Sequence, residues 1–278
     1  MQEPPASRYH QNGIFTPMTE AWDLVTEWQP ADIFSATPKN HKPFAILVLN
    51  QALRLPAAVY SRLWASSIFK VAADGGANRL YDLNTQNGID LTVDAVIGDL
   101  DSLFFEVRKY WESKNVPVIY DPDQYSTDFG KAVKYIRSSR ARETTDIVVI
   151  GGLGGRVDQG MATLSHLYTF QQDPGYATGR MYLLSSESIT FVLKTGKHKI
   201  KAKDGFDGIK LGKHVGIIPL KEPSVITTNG LEWDVQKWET EVGGQMSTSN
   251  HVKEELVTIE TTKDVLFTID LDTPRTIE

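Results

Sequence analysis

Carboxylates recur in four short segments, each beside a glycine or a polar turn and each just behind an apolar run. They are Ala72-Ala73-Asp74-Gly75-Gly76, Gly98-Asp99-Leu100-Asp101-Ser102, Asp121-Pro122-Asp123-Gln124-Tyr125-Ser126-Thr127-Asp128 and Gly151-Gly152-Leu153-Gly154-Gly155-Arg156-Val157-Asp158-Gln159. Mg²⁺ takes hard oxygen donors of this kind, with one or two carboxylates and the remaining positions filled by water and phosphate oxygens. Glycines beside them expose backbone N–H groups that can cradle phosphates. The combination suits one task, holding a divalent cation and a polyphosphate together.

Each segment also has a plainer reading. Asp99 and Asp101 stand at alternate positions, so in extended backbone both face one ion; alone, they read as a solvated turn before a helix. Asp74 ahead of Gly75 and Gly76 is a ligand or a cap. Ser126 stands where an N-cap belongs, and Asp128 falls in a first helical turn, where the dipole favours anions. Asp128 either stabilises that turn or meets a metal or a substrate hydroxyl. Asp121 and Asp123 read equally as turn residues, and Lys131 reads as a surface lysine ahead of a phosphate ligand. Four glycines between Gly151 and Gly155 cost backbone entropy, which asks for a functional reason. That loop is neither a Gly-Lys-Ser/Thr phosphate loop nor a dinucleotide fingerprint. Arg156 can pair with phosphate, and Asp158 with metal or nucleophile. Further on, Trp233 can stack on a flat cationic heterocycle or pack in a core. Ser247-Thr248-Ser249-Asn250 is a set of small hydrogen-bonding groups or an ordinary polar turn. The histidines have no ligand spacing, and no nucleophile elbow is present.

Such turns need a scaffold that brings them to one edge. Phe44 to Leu49 is a continuous apolar run, as in buried parallel strands. Phe69–Ala73, Asp94–Ile97, Val116–Tyr120, Asp146–Ile150 and Met181–Leu184 read as further strands. Helical spacing lies between them, at Leu63–Ser67, from Ala77, over Leu103–Lys114, at Phe129/Val133/Ile136 and at Val157/Met161/Leu164/Tyr168. This alternation predicts an α/β fold, a Rossmann-like, mainly parallel sheet with helices on both faces, whose strand ends carry the ligands. After Ser188 the helical spacing stops. Ile189–Leu193, His198–Ala202, Lys213–Pro219, Ser224–Thr228, Val257–Thr261 and Val265–Leu271 then predict an all-β sandwich. The expected division is an arm at 1–41, a catalytic α/β domain at 42–187 and a β-sandwich at 188–278. In the arm, Trp22, Leu24, Val25, Trp28 and Ile33 form one short amphipathic piece docked on the body, or a partly ordered extension.

Bulk properties remove other classes. The chain has 278 residues, 41% hydrophobic and 23% charged, with a net charge of −6. That charge, with no basic block, argues against nucleic acid. No apolar run approaches a membrane span, and residues 1–13 lack a signal pattern. The chain contains no cysteine, which excludes disulfides, thiolate metal sites and Cys nucleophiles. A cytoplasmic location fits these features.

The strings Ala73–Arg79, Gly98–Ser102, Asp123–Phe129 and Gly151–Gln159, in that order, resemble thiamin pyrophosphokinase. So do Gly196-Lys197-His198, Thr228–Trp233 and Ser247–Asn250. The likeness spans about 44–271, and the ensemble rather than any one motif is specific. It implies an α/β domain, a C-terminal β-sandwich and a homodimer with sites at the subunit interface. The implied reaction transfers the pyrophosphoryl group of ATP to the hydroxyl of thiamin, giving thiamin diphosphate and AMP. By the same likeness, Asp74, Asp99, Asp101 and Asp128 form the Mg²⁺–ATP site. Gly75, Gly76, Asn78, Gln124, Ser126 and Thr127 border the nucleotide, with Gly152, Gly154, Gly155 and Arg156 along its phosphates. Asp158 lies near the reacting centre, and either it or Asp128 takes the hydroxyl proton. Trp233, Ser247, Ser249 and Asn250 hold thiamin, from the other subunit. One departure falls at Tyr125, where many relatives carry an acidic residue. A metal-dependent phosphatase and a non-catalytic thiamin-binding protein are the competing readings.

Overall fold

The computed structural model describes residues 25–35, 43–139, 144–206 and 209–272. Its α/β part runs β2 (Phe44–Val48), α1 (Ala57–Ser66), β3 (Phe69–Ala73), α2 (Gly76–Asn87), β4 (Ala95–Gly98), α3 (Phe105–Ser113), β5 (Val118–Tyr120), α4 (Asp128–Ser139), β6 (Asp146–Ile150), α5 (Val157–Phe170) and β7 (Met181–Leu184). Ahead of it lies β1 (Val25–Trp28). After it come β8 (Ser188–Leu193), β9 (Gly196–Lys201), β10 (Gly205–Phe206), β11 (Ile209–Ile218), β12 (Ser224–Asn229), β13 (Trp238–Thr240), β14 (Ser247–His251), β15 (Leu256–Thr261) and β16 (Val265–Asp272).

Strand β2 is buried along its whole length, as its unbroken apolar run requires. It sits mid-sheet in the parallel order β5-β4-β3-β2-β6-β7. The chain adds β3, β4 and β5 on one side of β2, then returns to lay β6 on the other. The switch point therefore lies between β2 and β6, where open α/β sheets bind ligands outside the carboxyl ends of the strands. Register keeps those ends level: Val48 faces Ala72 and Ile150, Ala73 faces Ile97, and Gly98 faces Tyr120. Helices α1, α2 and α3 bury Leu63, Leu80 and Trp111 against the Ile46 and Val48 face. Helices α4 and α5 bury Val133 and Leu167 against the opposite face, with Ala45 and Leu47.

Beyond β7 the same sheet continues with antiparallel strands, through β8, β16 and β11, with β14 also pairing β11. A second sheet, β1-β9-β15-β12-β13, covers this extension. Phe191, Phe267, Val215 and Ile217 of one sheet share a core with Ile200, Ile226, Val257 and Ile259 of the other. The expected β-sandwich is thus built partly from the α/β sheet itself. The boundary expected at residue 188 falls in the β7–β8 hairpin, where Leu183 pairs with Thr190.

Some segments differ from the sequence expectation. The arm was read as one amphipathic piece docked on the body or as a partly ordered extension; of its described residues, Val25–Trp28 is a strand parallel to β9 and Pro30–Phe34 a 3₁₀ helix, while Trp22 and Leu24 lie outside the described residues. Trp28 stacks on Phe191 at 4.4 Å between ring centroids and donates its indole N–H to His198 Nδ1. The segment Lys203–Gly212 holds the antiparallel pairing of β10 with β11. Strand β14 covers Ser247–Asn250, for which an ordinary polar turn was one of two readings, and β13 lies in a stretch for which no strand was expected.

Candidate active site

Level strand ends place the four acidic turns along one edge of the sheet. There they border a cleft of about 700 Å³, in the size range of ligand pockets. Asp74, Gly75, Asp99, Gln124, Ser126, Thr127, Asp128, Gly152 and Arg156 are on its wall.

One oxygen from each of Asp74, Asp99 and Asp128 lies within 4.8 Å of the others. They meet over Gly98. A Cβ there would stand 2.7 Å from Asp74 Cβ and 3.0 Å from Asp128 Oδ1, so only glycine lets the two acids close up. Asp74 is 3% exposed. Its Oδ2 accepts the Ser102 N–H at 3.1 Å, while Oδ1 is buried with no hydrogen-bond partner among the described residues. Burial pushes its carboxyl up to about 6, the charges of Asp128, Asp101 and Asp99 push the same way, and the Ser102 N–H opposes them. An unsatisfied buried carboxylate oxygen is costly unless a cation or donor meets it.

Beneath the acids lies Lys131, expected at the surface. Its side chain is 1% exposed, with Nζ 3.2 Å from Asp128 Oδ1 and 4.0 Å from Asp99 Oδ2. Burial alone would lower its pKa, but the carboxylates of Asp128, Asp99 and Asp121 outweigh it and hold it above the usual lysine value. Asp128 Oδ1 also accepts the Asp99 N–H at 3.2 Å.

Other expected ligands fall elsewhere. Leu100 has a φ of +61°, so the chain turns between Asp99 and Asp101 instead of staying extended. Asp101 is left exposed outside the three-acid cluster, accepting from Ser102 Oγ at 2.9 Å. Asn78 is buried and works on the loop rather than the wall, donating to Ser102 O at 2.7 Å and accepting the Phe104 N–H. Gly76 packs beneath the cleft, where a Cβ would meet Val48 O at 2.2 Å. The N-cap of α4 is Thr127, whose Oγ1 accepts the Gly130 N–H at 3.2 Å. Ser126, one residue earlier, donates to Asp123 Oδ2 at 2.6 Å.

Gly151 has a φ of +68°, and a Cβ there would meet Leu49 O at 2.6 Å, so the glycine loop lies tight against the end of β2. Gly154 and Gly155 line a side pocket of about 230 Å³ with Arg54 and Tyr60. Asp158 is held by Arg156, with Nη2 to Oδ2 at 2.6 Å on two exposed side chains, and that guanidinium keeps its carboxyl below the usual range. It is not on the cleft wall.

In the sandwich, Asn250 is 4% exposed and clips the preceding turn. Its Oδ1 accepts the Trp233 N–H at 3.1 Å and its Nδ2 donates to Trp233 O at 2.9 Å. The indole itself stays 59% exposed, 5.0 Å from the His251 ring. Ser247 and Ser249 lie on β14, Ser249 with a φ of +54°. None of these four lines the cleft, whose wall runs from Leu49 to His166.

Comparison with known proteins decides the family. Residues 60–176 match the profile of the thiamin pyrophosphokinase catalytic domain, and residues 197–266 match its vitamin B1 binding domain. Thiamine pyrophosphokinase 1 of Arabidopsis thaliana is 36% identical over 82% of this chain and 86% of its own. The chain belongs to the thiamin pyrophosphokinase family. The Saccharomyces cerevisiae enzyme is 27% identical over 87% of this chain and 89% of its own. Solved structures of the yeast and Candida albicans thiamin pyrophosphokinases superpose with TM-scores of 0.78 and 0.75, both at 26% identity. The yeast structure covers 91% of this chain and 93% of its own, the Candida structure 89% and 93%.

Within this thiamin pyrophosphokinase fold, sequence reasoning passed over several cleft residues. Asn50 and Gln51 end β2 as the acidic turns end their strands, but carry no charge to draw notice. Arg79 is on the wall, its Nε bonded to Asn50 Oδ1 at 2.9 Å. His166 is there too, hydrogen-bonded to Thr127 Oγ1 at 2.8 Å and stacked on Phe129. Among the described residues, no helix is long and apolar enough to cross a membrane.

Proposed function

We propose that this chain transfers the pyrophosphoryl group of ATP to the hydroxyl of thiamin, in a Mg²⁺-dependent reaction giving thiamin diphosphate and AMP. The observation that carries this reading is the cluster of Asp74, Asp99 and Asp128, with its buried unpartnered oxygen, on the wall of a cleft that also holds the glycine loop. The donors are all hard carboxylate oxygens, which fits Mg²⁺. Bound there by Asp74, Asp99 and Asp128, with Asp101 at the rim, the ion would offset phosphate charge during transfer.

The chain's own part is to position and to take a proton. Gly75, Gln124, Ser126, Thr127 and Gly152 border the nucleotide, and Arg79 and Arg156 offer guanidinium groups to its phosphates. The thiamin hydroxyl oxygen bonds to the β-phosphorus. The bond from that phosphorus to the bridging oxygen of the α-phosphate breaks, and AMP leaves with its electron pair. Asp128 takes the hydroxyl proton on Oδ2, since Oδ1 is engaged by Lys131 and the Asp99 N–H. Asp158, paired with Arg156 outside the cleft, serves to set that arginine.

Thiamin is held from a second copy of the chain. Its Trp233 stacks on the cationic heterocycle, Asn250 fixes that tryptophan, and Ser247 and Ser249 hydrogen-bond the substrate. The support is that this exposed indole and the cleft lie on separate parts of one chain. A homodimer working in the cytoplasm belongs to the same reading.

Incubation with ATP, Mg²⁺ and thiamin, followed by ³¹P NMR and chromatography, tests the proposal. Thiamin diphosphate and AMP should appear in equal amounts. ATP loss indifferent to thiamin would replace the reading with a phosphatase, and thiamin binding without AMP would replace it with a binding protein.

A further inference from the structure

Lysine is almost never fully buried unless it is paired, and Lys131 is buried against the acids proposed to hold the metal. The helix explains how it gets there. Asp128 opens α4, so Lys131 follows at i+3 and lies on the same face. Its ammonium reaches back under Asp128 and points on toward Asp99, which arrives from a different strand end. One fixed positive charge therefore lies between two acids brought from separate elements, while the third, Asp74, keeps an unpartnered oxygen. The three carboxylates and one ammonium leave two negative charges when all are ionised, the charge that one divalent ion neutralises.

We infer that Lys131 is a positioning residue that stands in for a cation beneath Asp99 and Asp128. It keeps the acids gathered before metal arrives and sets how strongly the cluster draws a metal in. This rests on the metal site proposed above.

The inference has a consequence that an ordinary structural lysine does not share. A unit charge a few ångströms from the metal position, at an effective dielectric constant of about 20, opposes cation binding by well over tenfold. Removing it should weaken the metal-free fold and yet tighten metal binding. Mn²⁺ alone serves as the probe, because its EPR signal reports free ion directly. Nucleotide-free wild type, Lys131→Met and Lys131→Gln are titrated with Mn²⁺, and each is melted in EDTA and in saturating Mn²⁺. Gln keeps a hydrogen-bond donor toward Asp128, so it isolates the charge if Met fails to fold.

Both variants should bind Mn²⁺ at least about tenfold tighter than wild type. Both should melt lower in EDTA, with most of that loss recovered in Mn²⁺. Lys131→Arg, which keeps the charge, should stay within about threefold of wild type for Mn²⁺. Variants that bind Mn²⁺ no tighter than a wild type that does bind it, with equal melting losses with and without metal, overturn the role of Lys131 alone. A wild type that takes up no Mn²⁺ overturns the metal site and this inference with it.

Discussion

Asp74 is a residue kept against the interest of the fold. Its folded pKa of about 6 stands above the model-peptide value of 3.8. A carboxyl raised in this way favours folding in its protonated form, fully so below about pH 4, and that contribution is lost as pH rises through about 6. At neutral pH the ionised group is a burden that only a bound cation relieves. Asp74→Asn should therefore be more stable than wild type in EDTA, by about 2 kcal/mol above pH 7, with the advantage gone below pH 4. Turnover with ATP and Mg²⁺ should fall at least about a hundredfold in the same variant. Thermal melts across pH, paired with the product assay, check both; a variant that is less stable at pH 8 contradicts the account. Lys131 shows why such detail is hidden in sequence. Its type says surface, its spacing from Asp128 says only that the two share a face, and the third party, Asp99, is 32 residues away in the chain.

Elements decide whether the acids meet. The Gly98 position at the end of β4 is set by its neighbours on both sides, Asp74 and Asp128, and Gly98→Ala should cost about 1–3 kcal/mol by overpacking. The same substitution should raise the Mg²⁺ concentration needed for half-maximal turnover, since the acids are prised apart; an unchanged Mg²⁺ requirement would count against the cluster. In the sandwich, His198 of β9 is 2% exposed, accepts from the Trp28 indole at Nδ1 and bonds Lys194 O through Nε2. Both nitrogens are occupied in the neutral form, and burial lowers the pKa to about 4. A depressed histidine pKa gives stability that is present above about pH 6.5 and lost as pH falls toward 4. The stability gap between wild type and His198→Gln should narrow by about 2 kcal/mol from pH 7 to pH 5, read by urea unfolding at each pH. The parallel strands were legible because buried strands read as apolar runs such as Phe44 to Leu49. Strand β14 was not, because Ser-Thr-Ser-Asn-His offers no apolar alternation and its one buried side chain, Asn250, is polar. The extended backbone expected between Asp99 and Asp101 gives way to a positive φ at Leu100, which a β-propensity argument does not register.

At the scale of the whole molecule, the fold class was readable from the change of period after Ser188, but the joining of the two halves was not. Hairpin β7–β8 carries one sheet from the α/β part into the sandwich, and sheet continuity leaves no trace in local pattern. The cleft draws on residues up to His166, and the exposed Trp233 lies in the sandwich. If a working site takes its cleft from one chain and its tryptophan from another, two dead variants should rescue each other. Asp99→Asn and Trp233→Ala, unfolded together and refolded as an equal mixture, should regain about one quarter of wild-type activity, since half of the dimers carry one whole site of two. Mixed dimers with no activity would place both halves of the site in one chain. The pairing of β1 with β9 carries a different consequence. Trp28 and His198 lie 170 residues apart in sequence, so their contact closes one of the longest loops in the described chain. Contacts of that separation are slow to form, because closure entropy is spent before any packing repays it. Until β1 arrives, β9 presents an open row of N–H and C=O groups, the kind of edge on which chains aggregate. The short strand ahead of the catalytic part thus caps, in the folded molecule, the edge of β9 that would otherwise stay unpaired.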